Sequence, residues 1–225
     1  MNLKGIPILP VPRLVFFPQT SLPLFIVEPT YAGMIREALE NQSLLGITLA
    51  EPQVRDGRVR YIPKMICTVG KPILLEELDD GGLKILIHGK ARVRLTNLVQ
   101  SLPYLIFDAE EIPDRAESSA WALPQTRRLV EILDNWLSEN ITDSLEREHF
   151  QQNIETLQSV ADYLCLFLIQ DPTTKQIMLE NTSLFERLSL LNGLLKGESP
   201  QAEDWMTGEA LKEFETLEQK LVSNH

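Results

Sequence analysis

The apolar residues of this chain change their spacing partway along, and one layer of structure cannot satisfy both spacings. In "LKILIHG", Leu83, Ile85 and Ile87 alternate with Lys84, Leu86 and His88. In "KARVRL", Lys90, Arg92 and Arg94 alternate with Ala91, Val93 and Leu95. A period of two with one apolar face belongs to a half-buried antiparallel strand. From Leu123 the period becomes 3.6, and "RRLVEILDNWLSEN" puts Leu129, Ile132, Leu133, Trp136 and Leu137 on one helical face. Charge shifts at the same place. Residues 1–112 hold 12 Lys/Arg and 12 Asp/Glu, and residues 113–225 hold 9 and 20, so the net charge of −11 sits in the second half (9 − 20 = −11). The expected class is α+β. Its divisions are a β-barrel sub-domain over 1–114, a helical-bundle sub-domain over 115–197, and a polar linker with a C-terminal amphipathic helix over 198–225.

Prolines punctuate the opening. "IPILP" (6–10) and "LPLFIV" (22–27) read as short strands, because proline is tolerated at strand ends and edges. "RLVFFPQTS" then becomes their connector, with Phe16 and Phe17 at its crest. "EPTYAGMIREALENQ" reads as a helix starting at Pro29 or Thr30, and "LLGITLA" (44–50) as a strand. An Asp-Gly turn signal follows in "VRDGRVRYIP". With "KMICTVGKPILLEEL" and "PYLIFDAEEI" this makes six or so strands and one helix, enough for a small closed or partly closed barrel.

The second half carries helix punctuation. Asp171-Pro172 offers a capping acceptor followed by a proline that needs no partner for a missing N–H. Ser183 with Glu186 matches a capping box, and Leu184, Leu188, Leu191 and Leu195 follow as a stripe that Gly197 would stop. Leu211, Phe214, Leu217 and Leu221 mark the last amphipathic helix, which docks on its own domain or on a partner.

Motifs for chemistry are missing. "GKP" (70–72) and "GKA" (89–91) lack the glycine and hydroxyl of a phosphate loop. His88, His149 and His225 are unrelated in spacing, and Cys67 and Cys165 flank no partner motif, so we expect no metal site, no cofactor and no catalytic residue. The two cysteines read as reduced core residues of a cytoplasmic protein. No apolar run reaches the roughly 18 residues of a membrane helix, and the prolines break the apolar run a signal peptide would need. An acidic half disfavours nucleic acid. The basic set Arg58, Arg60, Lys90, Arg92 and Arg94 is the sequence support for the alternative, an RNA-binding module.

"IPILPVPRLVFFPQTSLPLFIVEPTYAGMIREAL" resembles the opening of the Lon protease amino-terminal domain: a strand ending in Leu-Pro, a Phe-Pro loop, a Pro-Leu-Phe strand, then a helix. "CTVGKPILLEELDDGGLKILIHGKARVRL" and "VADYLCLFLIQDPTTKQIMLENTSLFERLSLLNGLL" resemble its later stretches, so the likeness spans residues 6 to about 196. It implies a stand-alone PUA-like barrel joined to a helical bundle, without the ATPase and peptidase modules. The implied function is non-catalytic recognition of substrate polypeptides, associated with proteolysis and protein quality control.

On that reading the partners are unfolded or exposed apolar polypeptide segments, together with a protease or chaperone. The expected contact residues are Phe16 and Phe17 on the connector, with Tyr31 and Met34 on the helix beside it. Adjacent aromatics on an extended connector alternate in direction, which would leave one exposed, and methionine makes an adaptable apolar surface.

Overall fold

In a computed structural model of the protein the described residues are 2–55, 58–116, 124–141, 154 and 156–196. They form strands β1 (Asn2–Pro12) and β2 (Ser21–Ile26), helix α1 (Pro29–Glu40), and strands β3 (Leu45–Arg55), β4 (Arg58–Pro63), β5 (Ile66–Glu77), β6 (Leu83–Gln100) and β7 (Leu105–Glu111). Helices α2 (Pro124–Asn140), α3 (Leu157–Leu168), α4 (Pro172–Glu180) and α5 (Leu184–Leu194) follow. This is the α+β class expected from the change of period. The Asp-Gly turn at 56–57, Gly197 and the C-terminal helix lie outside the described residues.

The sheet is mixed, and its pairing returns to its first strand. β1 pairs β7, β7 pairs β6, β6 pairs β5 and β5 pairs β3, all antiparallel, and β3 pairs β1 in parallel. Two strands lie off this circuit. β2 pairs the first part of β6, and β4 pairs β3. The inward residues of β6 serve two cores. Leu83, Ile85 and Ile87 join Leu22, Leu24 and Ile26 of β2 and Met34 and Ile35 of α1 in one cluster. Val93 and Leu95 join Ile6, Ile8, Cys67, Val69 and Phe107 in the other. Glu28 caps α1, its carboxylate accepting from the N–H groups of Thr30 (3.0 Å) and Tyr31 (3.1 Å).

The chain groups into two compact units. One holds Met1–Pro113 with Asp171–Glu180, so α4 belongs with the sheet; the other holds the described residues of Asp114–Gln170 and from Asn181 on. Within the first unit, Asp171 caps α4 by accepting from the Thr174 N–H at 2.8 Å. Gln176 donates to the Ile66 carbonyl at 3.0 Å, tying α4 to β5.

In the second unit α2, α3 and α5 pack on one another. Leu129, Leu133, Trp136 and Leu137 are buried on one face of α2, as their spacing predicts. Trp136 stacks on Phe167 of α3 with centroids 4.5 Å apart. Half of the expected capping box is present on α5. Ser183 Oγ accepts from the Glu186 N–H at 3.1 Å, but the Ser183 N–H donates to Asn181 Oδ1 at 2.9 Å, not to Glu186. The fully buried guanidinium of Arg187 binds both Asp162 of α3 and Asp114.

Candidate functional site

The four residues expected to form an apolar surface do not form one. Phe16, Phe17 and Met34 are 1%, 0% and 1% exposed, and Tyr31 alone of the four is partly exposed. The connector folds onto the sheet because its backbone finds partners there. Thr68 Oγ1 donates to the Phe16 carbonyl at 2.6 Å and Thr20 Oγ1 to the Phe17 carbonyl at 2.8 Å. Gly89 and the connector exchange backbone bonds, Gly89 N–H to Thr20 at 2.8 Å and Gln19 N–H to Gly89 at 3.0 Å. Both aromatic rings are thereby drawn inside. Phe16 and Met34 belong to the cluster that packs the inner faces of β2 and β6.

One partly exposed apolar surface lies on the opposite face of those strands, where Pro23 and Leu86 are half-buried and Ile73 is exposed, and register places it there. Leu22, Leu24 and Ile26 pair with Ile87, Ile85 and Leu83, all buried. The alternate residues must point outward. Pro23 pairs with Leu86 across β2–β6, and Leu86 pairs with Ile73 across β6–β5. Cross-strand neighbours have Cβ atoms roughly 5 Å apart, so Pro23, Leu86 and Ile73 form one continuous outward row. One step along, Phe25 pairs with Lys84, which pairs with Glu76. The Lys84 ammonium lies over the Phe25 ring, 5.3 Å from its centroid, and Phe25 and Ile73 are 48% and 49% exposed. One step in the other direction lies the row Ser21, His88, Lys71. Ser21 Oγ and His88 Nδ1 are 3.1 Å apart, and burial, helped by Lys90, pushes the His88 pKa down.

Two glycines fix this register. Gly70 and Gly89 are cross-strand partners, and the pairing slips by one residue between Val69 and Gly70. A Cβ on Gly70 would stand 2.5 Å from the His88 carbonyl oxygen, and one on Gly89 would press into the Phe17 carbonyl. Only glycine admits both approaches.

The basic set does not assemble into one exposed stripe. Arg92 is buried, Lys90 and Arg94 are exposed, and the Arg58 and Arg60 side chains lie outside the described residues. Among the described residues no three His, Cys, Asp or Glu side chains group as metal ligands. No described helix is long and apolar enough to cross a membrane. Sequence reasoning missed Pro23, Phe25, Ile73 and Leu86. One signal was present: Leu86 sits between Lys84 and His88 on the polar side of an otherwise regular alternation.

An outward apolar row on a mixed sheet, followed by helices, is the setting in which the comparisons with known proteins fall. The chain belongs to the family of the ATP-dependent protease La (LON) substrate-binding domain, whose model matches residues 5–197. It is 27% identical over 207 residues to the Lon protease of Neorickettsia sennetsu, covering 88% of this chain and 24% of that one. To the Lon protease of Dictyoglomus thermophilum it is 25% identical over 183 residues, covering 81% and 23%. The chain therefore spans about a quarter of the length of these relatives. Two solved structures share its fold. They are the N-terminal domain of Mycobacterium avium complex Lon protease (TM-score 0.59, 19% identity, 84% of this chain and 96% of that one) and a Lon N-terminal domain protein from Xanthomonas campestris (TM-score 0.59, 18% identity, 85% and 98%). The family match concerns the substrate-binding domain, not the ATPase or peptidase modules.

Proposed function

We propose that this chain is a non-catalytic module that binds exposed apolar segments of other polypeptides, and that the row Pro23, Leu86 and Ile73, with Phe25, is its contact surface. The observation that carries the reading is the register itself. Three strands of a domain in a substrate-binding family align apolar side chains on their outer side, half-buried at Pro23 and Leu86 and exposed at Ile73. Binding would proceed by removal of apolar area from water at about 25 cal/mol per Å². Phe16 and Met34 would act from beneath, holding the inner faces of β2 and β6 rigid. In this reading the closed sheet is a PUA-like barrel, the sub-domains divide near residue 114 except that α4 goes with the barrel, and the cytoplasm is its place of work. Its partners are unfolded chains and the protease or chaperone that processes them, in protein quality control.

The test is fluorescence anisotropy with reduced, carboxymethylated α-lactalbumin, a permanently unfolded polypeptide, against the native disulfide-bonded form. Preferential binding of the unfolded form, retained from 50 to 500 mM salt, is the outcome expected. Equal affinity for the two forms, or none for either, would sink the reading.

A further inference from the structure

The apolar row ends on a cationic rim. Lys71 pairs with His88 one register step from the Ile73–Leu86 pair, and Lys90 follows His88 by two residues at the slip in register. Lys71 and Lys90 are both exposed, and neither makes an ion pair among the described residues. Ser21 Oγ lies at the same rim, 3.1 Å from His88 Nδ1. The far end of the strip is different in kind. There Lys84 faces Glu76 across the strands and covers Phe25, and Glu77 is paired with Arg36 at 3.5 Å. The strip is thus polar in direction: cations with no ion pair among the described residues at one end, an apolar middle, and cations facing carboxylates at the other.

We propose that the ligand of this surface is an extended polypeptide segment with an acidic side chain two positions from an apolar one. The apolar side chain lies on Leu86 and Ile73, and the carboxylate reaches Lys71 and Lys90. The inference rests on the polypeptide-binding reading above and adds the class of segment. Spacing supports it. Successive rows on one face of a strand are two residues, or about 7 Å, apart. An extended ligand running with the strands places its residues i and i+2 on one face at the same interval. Charge complementarity supports it too, since two lysines with no ion pair among the described residues favour a carboxylate over a neutral or cationic side chain. We commit to an acidic side chain over a chain terminus because an unfolded polypeptide offers the former along its whole length.

The experiment uses the full chain and three labelled peptides of one apolar sequence, blocked at the N-terminus. One carries Asp two residues after its central Phe and an amidated C-terminus. The second carries Asn there, also amidated. The third carries Asn with a free C-terminal carboxylate. The Asp peptide is expected to bind about two- to fivefold tighter than the amidated Asn peptide at low salt, the range of an exposed ion pair. The difference should vanish at 500 mM salt and in the double variant Lys71→Gln/Lys90→Gln, which should bind the amidated Asn peptide as the parent does. Equal affinity for the Asp and amidated Asn peptides overturns the proposal while leaving the apolar reading intact. So does a gain confined to the free carboxylate, which would reassign the rim to chain termini. Binding of none of the peptides overturns the polypeptide-binding reading and the proposal with it.

Discussion

Leu86 of β6 and Ile73 of β5 are direct cross-strand partners, and both point away from the core that their neighbours Ile85 and Ile87 fill. This outward pair carries the first prediction. The double variant Ile73→Thr/Phe25→Thr keeps side chains that suit strands but removes apolar area from the water-facing row. Its affinity for an unfolded polypeptide should fall roughly tenfold, the equivalent of about 1.4 kcal/mol of lost burial. Its unfolding midpoint should barely move, since exposed substitutions usually lie within about 0.5 kcal/mol of neutral. Anisotropy and urea titration on the same preparation check both halves. Unchanged affinity would remove the row from the binding surface.

Phe17→Ala should do the opposite. Its ring is fully buried, so truncation leaves a cavity and costs about 3–5 kcal/mol. Affinity per folded molecule should stay near that of the parent. A variant that loses binding but not stability would mean that Phe17 reaches ligand after all.

These two predictions mark where sequence reasoning succeeds and where it stops. The inward set Leu83, Ile85 and Ile87 is legible because alternation is local, and so is the Asp171 cap, which depends on a neighbour three residues away. The fate of Phe16 and Phe17 is not local. It is decided by Thr68, more than fifty positions on, and by the absence of a side chain at Gly89. The outward row is further from reach, because it needs the registers of β2, β5 and β6 together. A one-residue slip sends every side chain of a strand to the other face. One such slip occurs at Val69/Gly70, beside the row. The placement of α4 with the sheet follows from Gln176 meeting Ile66, a pairing of distant residues that no periodicity announces.

Gly70→Ala tests the slip. The added methyl meets the His88 carbonyl, a backbone atom that cannot swing aside. Strain of this kind costs about 1–3 kcal/mol. It should also shift β5 against β6, so the variant should lose affinity for unfolded polypeptide even where it remains folded. Gly193→Ala is the control. A Cβ there meets nothing within 4 Å, and its site is a helix, so it should be neutral or stabilising by up to about 1 kcal/mol.

Arg187→Met should be among the most damaging single changes in the second unit. The arginine is fully buried between two aspartates, and Asp162 is buried with it. Removing the cation leaves carboxylates without their charge partner, at a cost of about 3–5 kcal/mol. Adding Asp162→Asn should recover part of that loss, because one buried charge is removed. Thermal unfolding of the two variants checks the order. A double variant no more stable than Arg187→Met would show that the carboxylate is not the source of the penalty.

Cys67 supplies a pH test with a defined sign. Its complete burial pushes the thiol pKa up from 9.0 to about 12. In the folded protein the thiol stays protonated where the unfolded chain has already lost its proton. The unfolded state therefore binds fewer protons between about pH 9 and 12, and stability falls as pH rises through that window. Below pH 9 the contribution is fully present. Other groups titrate in the same range, so the informative quantity is the difference from Cys67→Ala. Urea midpoints at pH 8, 9.5 and 10.5 should show the parent losing about 1 kcal/mol more than the variant for each pH unit above 9. The native thiol should also resist a disulfide reagent at pH 8 until urea unfolds the chain. Parallel pH profiles, or rapid native labelling, would mean that the sheet opens around Cys67 on the timescale of the reaction. The register that places Pro23, Leu86 and Ile73 in one row would then be no more fixed than that opening allows.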